Sequence, residues 1–380
     1  MDDHSVIDWT EGDEARSARW RSESGAPPPR QMAIADDRMT ADQAYGLACQ
    51  GTALLWRGDF QNARQLLTAM AKRADRRPRK AKAATPGPPA EAFHRHRQVQ
   101  SQRARTLGML LIPMDEAYAI PLRRAPDVRE ACLEAWGPGE GATVVSMREL
   151  LGLIGAHEWR VKGISIPAID GRIHPHYGVF TPIRREYVDL VAAAPLPAAV
   201  SSASLAFDIG TGTGVLAAVL ARRGIQRVIA TDQDPRALAC ARENIERLGL
   251  AKQVEAVEAD LFPEGQAALV VCNPPWVPAR PSSPIERGIY DPESQMLRGF
   301  LTGLREHLLP DGEGWLVLSD LAEHLGLRTR EELMAMIRGA GLKVEKRVDT
   351  RPRHPKAADE DDPLHAARAA EVTSLWRLRK

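Results

Sequence analysis

Residues 207–224 read FDIGTGTGVLAAVLARRG. An apolar strand runs straight into glycines 210, 212 and 214, and a helix-forming run follows without a break. Lacking Cβ atoms, these glycines let the backbone approach a ligand closely, and the first turn of the helix supplies N–H groups. The next strand, RVIATD, ends in Asp232. An acid about 20 positions after such a turn is placed to hold ribose hydroxyls. Asp260 puts a second carboxylate at a strand end, in VEAVEAD. Gly212 to Ala217 also fits the dinucleotide pattern G-x-G-x-x-A, so a nicotinamide site stands as an alternative at this point.

Outward from the turn the pattern is regular. LAFDI, RVIATD, VEAVEAD, ALVVCN and GWLVLSD alternate with helices starting near Gly214, Asp234-Pro235, Asp291-Pro292 and Thr329, the last with Glu332 placed for a capping box. That alternation predicts an α/β fold with parallel strands and helices on both faces. The ending differs: LKVEKRVD and EVTSLWRLRK are strand-like with only a charged connector, 349–371, between them, which suits a pair of antiparallel edge strands.

The fourth strand stops at Asn273-Pro274-Pro275-Trp276. Pro274 cannot extend a strand, but its carbonyl stays an acceptor, and the Asn273 amide adds a second acceptor oxygen. Two acceptors at a rigid corner grip both N–H groups of a planar NH₂, and Trp276 offers a flat face for stacking. Strand C-termini are where open parallel sheets bind ligands.

DIGTGTG, ATD and NPPW, in this order and spacing, resemble the class I S-adenosylmethionine-dependent methyltransferases of the [N/D/S]PP[Y/F/W] group over about residues 172–380. The nearest type is the HemK glutamine N5-methyltransferases. FTPIRREYVDLV stands for their proline–arginine–glutamate segment through Pro182, Arg184 and Glu186, and Trp276 stands where they usually carry tyrosine. The resemblance implies a Rossmann-like sheet of seven strands with the last antiparallel, a smaller helical N-terminal domain and a β-hairpin linker. It implies that Asp208, Gly210, Thr211, Gly212 and Gly214 shape the methionine part of an S-adenosylmethionine site. Asp232 would bind the ribose, Asp260 would face the adenine amino group, and Leu261 or Phe262 would pack on the ring. Asn273 and Pro274, with Pro275, would hold the target nitrogen, and Trp276 would stack beneath it. No metal is required. The acceptor expected first is a protein glutamine side chain; adenine or guanine in rRNA or tRNA is the alternative, and a non-catalytic cofactor- or RNA-binding module the alternative of another class.

Towards the N-terminus, residues 1–40 carry nine acidic and five basic side chains and read as a flexible acidic tail. Residues 41–156 read as a helical domain, with AYGLACQGTALLWRG and DFQNARQLLTAMAKRAD as two helices turning at Gly58-Asp59. Two short helices follow, opening at Asp127 and at Ser146, where Glu149 completes a capping-box pattern. Within that domain, residues 72–105 hold eleven Lys or Arg against Asp75 and Glu91, a basic linker suited to RNA or a ribosome surface, or simply solvated. Residues 157–181 alternate around Asp170-Gly171, a β-hairpin linker, and 182–380 form the methyltransferase domain, opened by a helix from Thr181-Pro182.

The remaining signals are weaker. The 380 residues are 44% hydrophobic and 27% charged, and no apolar run reaches membrane-spanning length. The N-terminal stretch is acidic and has no signal-like core, and the four cysteines are widely spaced, so a reducing cytoplasm is expected. His174 and His176 have metal-ligand spacing without an acid or thiol beside them, so no metal is expected. Cys240 and Cys272 read as packing residues.

Overall fold

The computed structural model describes residues 5–75, 87–352, 359–360 and 362–380. Contacts divide the chain into two units: Met1–Gly87 with His94–Glu158, and Pro88–Phe93 with Trp159–Lys380.

In the first unit, strands β1 (Val6–Glu11), β2 (Glu14–Arg21), β3 (Gln31–Ala35), β4 (Thr52–Trp56), β5 (Leu110–Met114) and β6 (Thr143–Ser146) form a mixed six-stranded sheet in the order β1-β2-β6-β5-β4-β3. This corrects the expected tail. β1 and β2 are a hairpin about Gly12-Asp13, with Gly12 at φ +63°, and they carry Ile7 and Ala18 into a core. Most other side chains of this hairpin are exposed or half-buried, so its alternation is faint beneath an acidic composition. The expected all-helical domain over 41–156 is corrected too. Ala53, Leu54, Leu55 and Trp56 are all buried in β4, between the helices Ala41–Cys49 and Phe60–Ala74. A run buried on both faces has no period to tell strand from helix. Nor is 72–105 a linker where it is described: Lys72 and Arg73 end the helix Phe60–Ala74, and Pro89 opens the helix Pro89–Leu107. Residues 76–86 lie outside the described residues. The capping box at Ser146 is half made. Ser146 Oγ accepts from Glu149 N at 3.5 Å, but the Glu149 carboxylate turns to Ser22, Glu23 N and Ser24, each at 3.1 Å.

In the second unit, β7 (Ile164–Ile166) and β8 (Gly171–Ile173) make a short hairpin whose turn holds Asp170 at φ +47°. It is shorter than the expected 157–181 linker, because residues through Lys162 continue the helix Met147–Lys162. Beyond it lie β9 (Leu205–Ile209), β10 (Arg227–Asp232), β11 (Val254–Glu258), β12 (Ala267–Cys272), β13 (Leu308–Ser319), β14 (Lys343–Thr350) and β15 (Thr373–Arg379). They form one sheet in the order β11-β10-β9-β12-β13-β15-β14. Only β15 runs against the rest, paired antiparallel to β13 and to β14. The last strand is therefore internal, not an edge, and its residues Thr373–Leu378 are all buried. Separate apolar clusters cover the two faces, one built on the helix Val215–Arg222 and one on the helix Gln295–His307.

Caps set the helix starts. Asp234 accepts from Arg236 N at 2.9 Å, and Thr329 and Glu332 close a capping box in both directions. The helix expected from Asp291-Pro292 begins at Gln295, and the one expected from Thr181-Pro182 begins at Glu186. Among the described residues no helix is long and apolar enough to cross a membrane.

One buried charge cluster welds β13 to β15. Glu313 is fully buried and accepts from Arg377 Nε at 2.7 Å, Arg377 Nη2 and Arg379 Nη2 at 2.9 Å, and Trp315 Nε1 at 3.0 Å. Removing the acid leaves Arg377 buried without its counter-charge. Glu313→Ala is expected to lower unfolding free energy by about 3–5 kcal/mol, read from urea denaturation. A loss under about 1 kcal/mol would show that the cluster holds nothing together.

Candidate active site

The glycine turn is held by carboxylates from the strands on which it stands. Asp208, the penultimate residue of β9, is 1% exposed and accepts from Thr211 Oγ1 at 2.6 Å and Ala217 N at 3.0 Å. One side chain thus ties the turn's start to the helix beyond it. Burial pushes its carboxyl up to about 6, with the nearby Asp232 adding to the rise. Asp232, at the end of β10, accepts Gly212 N and Asp234 N, both at 3.0 Å, and burial raises it as well. Glycines 210, 212 and 214 all have positive φ. A Cβ on Gly210 would lie 2.3 Å from Met296 Cε, and one on Gly214 would press on Ala241, whereas one on Gly212 meets nothing within 4 Å. Gly212 therefore turns its bare face to open space.

That space is a cleft of about 890 Å³ at the C-terminal ends of β9 to β12. Of the residues singled out from sequence, Asp208, Gly210, Thr211, Gly212, Asp232, Asp260, Leu261, Asn273 and Pro275 line it. Gly214, Pro274, Trp276 and Phe262 do not. Phe262 stacks instead on His307, with ring centroids 4.4 Å apart. Leu261 holds φ +70° while its carbonyl accepts Thr231 Oγ1 at 2.6 Å, so a strained backbone aims this side chain at the cleft beside Asp260.

At the corner, Trp276 is a brace where a stacking platform was expected. Its indole N–H donates to Asn273 Oδ1 at 2.9 Å, its ring packs into both apolar clusters, and Arg184 sits over it at 6.0 Å. Arg184 is held in turn by Glu371, fully buried, at 2.9 Å, and Glu371 also accepts Ser319 Oγ at 2.7 Å. The Asn273 carboxamide is fixed in this way, with one lone pair of Oδ1 left for a ligand.

Sequence reasoning missed several other lining residues. Phe180, Tyr187, Tyr290, Asp291 and Met296 line the cleft. Asp291 is buried and accepts Met296 N at 3.0 Å and Leu297 N at 3.1 Å, capping the helix behind it. The Asp291-Pro292 signal was visible, but a helix cap does not announce that it faces a ligand site. His174 and His176 lie elsewhere: His174 Nδ1 contacts Arg160 O and His176 Nε2 contacts Glu243 Oε2, both at 2.6 Å. Burial raises the Glu243 carboxyl, but hydrogen bonds from Arg247 and His176 outweigh it and bring it down to about 2.

Residues 171–336 match the family model Methyltransferase small domain. A ribosomal protein L11 methyltransferase of Pelotomaculum thermopropionicum is 49% identical over 69 residues, covering 18% of this chain and 22% of that protein. One of Tolumonas auensis is 32% identical over 118 residues, covering 30% and 40%. The chain thus spans less than half the length of these curated relatives. Among solved structures, a SAM-dependent methyltransferase from Thiobacillus denitrificans, in complex with S-adenosyl-L-homocysteine, aligns with TM-score 0.34 and 20% identity over 53% of this chain and 92% of that one. The family match spans residues 171–336, less than half of the chain. The relatives' name differs from that of the glutamine-methylating group to which the motifs point.

Asp208 gives the site a pH signature. Its carboxyl titrates near 6 in the folded chain, against about 4 unfolded. The stabilisation from its proton is full below pH 4 and is lost as pH rises through 6. Across that window it amounts to on the order of 2 kcal/mol. Asp208→Asn keeps an acceptor for Thr211 and Ala217 and is expected to remove this slope. Parallel pH–stability curves for the two proteins, from urea denaturation, would contradict the assignment.

Proposed function

We propose that this chain is an S-adenosylmethionine-dependent N-methyltransferase acting on a planar nitrogen, first a protein glutamine side chain. The observation that carries the reading is the Asn273 corner standing in the same cleft as the glycine turn, Asp232 and Asp260. The donor set fits the cofactor: a bare glycine face for close approach, a carboxylate at the end of β10 for ribose hydroxyls, and an exposed carboxylate with Leu261 for the base.

The cofactor supplies a methyl group already activated on a sulfonium, so the protein's task is alignment. Asn273 Oδ1 would accept an N–H of the incoming nitrogen, while Pro274, first assigned the other, does not line the cleft. The Trp276 indole holds Asn273 Oδ1 in place, so little ordering is left for the moment of reaction. Phe180 and Tyr290 on the cleft wall provide flat faces for the acceptor's plane, the part first assigned to Trp276.

The relatives' names support a protein acceptor, and cytoplasmic residence goes with it. A nucleic-acid base is the competing acceptor, since its exocyclic amine has the same two N–H groups. Tritium-labelled cofactor and fractionated lysate separate the two. Label is expected in protein as N-methylglutamine; label lost to nuclease, or recovered as methyl-lysine, would sink the glutamine reading.

Asn273→Ala is expected to cut transfer at least about 100-fold while S-adenosylhomocysteine binds within about threefold of wild type. Trp276→Phe keeps the ring and loses the indole donor, and should fall between the two. Undiminished transfer by Asn273→Ala would remove the corner from the mechanism.

A further inference from the structure

The cleft carries almost one sign of charge. Asp208, Asp232, Asp234, Asp260 and Asp291 line it, and Arg287 is the one cation among its described lining residues. On the methyltransferase reading, on which this inference rests, the cofactor brings a sulfonium, an ammonium and a carboxylate. The two cations suit such walls. The carboxylate does not, and needs N–H donors or a counter-charge.

Helix N-termini are the first place to look for those donors. Two face this cleft, and the protein's own acceptors already take several of their N–H groups. At the glycine turn, Thr211 N gives to Thr231 O at 2.8 Å, Gly212 N to Asp232 Oδ2 at 3.0 Å, Gly214 N to Thr211 O at 2.9 Å, and Ala217 N to Asp208 Oδ2 at 3.0 Å. The turn thus offers a ligand only part of its N–H groups. At the second helix Asp291 takes Met296 N and Leu297 N. Beyond those amides, the one cation among the described lining residues is the guanidinium of Arg287.

Arg287 is well placed to be read by a ligand. It stands on the short turn Ile285–Gly288, tied by Arg287 N to Pro284 O at 3.1 Å. Gly288 lets this turn lie against Phe180, where a Cβ would come within 2.6 Å of Phe180 Cβ. Among the described residues no carboxylate pairs with Arg287. Its neighbour Glu286 instead accepts Ser282 N and Ser282 Oγ, both at 2.7 Å. An unpaired guanidinium at the rim of an acidic cleft is a fork for one carboxylate.

We infer that Arg287 receives the methionine carboxylate of the bound cofactor. The contact selects cofactors that carry an amino-acid tail, and it is made by the turn that follows the acceptor corner. Titration calorimetry on the full chain tests it with two ligands, S-adenosylhomocysteine and 5′-methylthioadenosine, which shares the adenosine and sulfur but has no carboxylate. Arg287→Ala is expected to weaken S-adenosylhomocysteine about tenfold or more and to leave methylthioadenosine within about twofold. Arg287→Lys should recover part of the loss, since a point charge replaces the fork. Wild-type affinity of Arg287→Ala for S-adenosylhomocysteine would overturn the inference and leave the guanidinium to an acidic acceptor. Equal losses for both ligands would overturn it as well, marking a collapsed turn. Should the wild-type chain bind neither ligand, the cofactor reading fails in its own right and takes this inference with it.

Discussion

The cleft depends on a carboxylate with almost no access to water. Asp208 takes the Thr211 hydroxyl and the Ala217 amide, and so fixes both ends of a turn in which three glycines adopt positive φ. Glycine loses more backbone freedom on ordering than any other residue, so such a turn needs strong partners to hold one shape. Hydrogen bonds to a charged acceptor are the stronger kind, about 1.5–3 kcal/mol each. Burial opposes them, and the raised titration of Asp208 shows that the two donors do not fully offset it. Asp232 then takes Gly212 N from the neighbouring strand, so the second acid is partly spent on the protein before any ligand arrives. A preformed floor results, and the ligand is left to supply contacts rather than order.

The sheet around that floor was legible because each strand ends in chemistry. LAFDI, RVIATD, VEAVEAD and ALVVCN are short, with a polar residue at or next to the end, and each corresponds to a strand. The caps at Asp234 and Thr329 were legible for the same reason, being local devices. Two kinds of feature were not. Strands with few buried side chains, such as β1 and β2, and a strand buried on every side, such as β4, both lack a readable period. Tertiary partners were also invisible. Nothing in NPPW says that the indole will turn back onto Asn273, and nothing in Glu371 says that it will hold the arginine lying over that indole, 187 residues earlier in the chain. Composition misled once: acidic residues in 1–40 read as a tail, while the few apolar ones made a sheet edge.

Strand order explains why the site has two halves. β9 sits between β10 and β12, and the chain leaves it in one direction to build β10 and β11 and returns across it to build β12. The ends of parallel strands diverge where the order reverses, and the cleft opens there. Both acids assigned to ribose and base follow strands on one side of the glycine turn, and the amide corner follows the strand on the other. A molecule reaching from Asp260 to Asn273 must therefore cross over Gly212, the one glycine of the turn whose missing side chain leaves open space. The same topology places β13 beside β12, and β15 behind it, so that Ser319 and Glu371 arrive at the base of the corner from the far side of the sheet order. The corner is thus clamped through Arg184 and Trp276 by residues that do not line the cleft, and Asn273, which does, sits in a frame already closed.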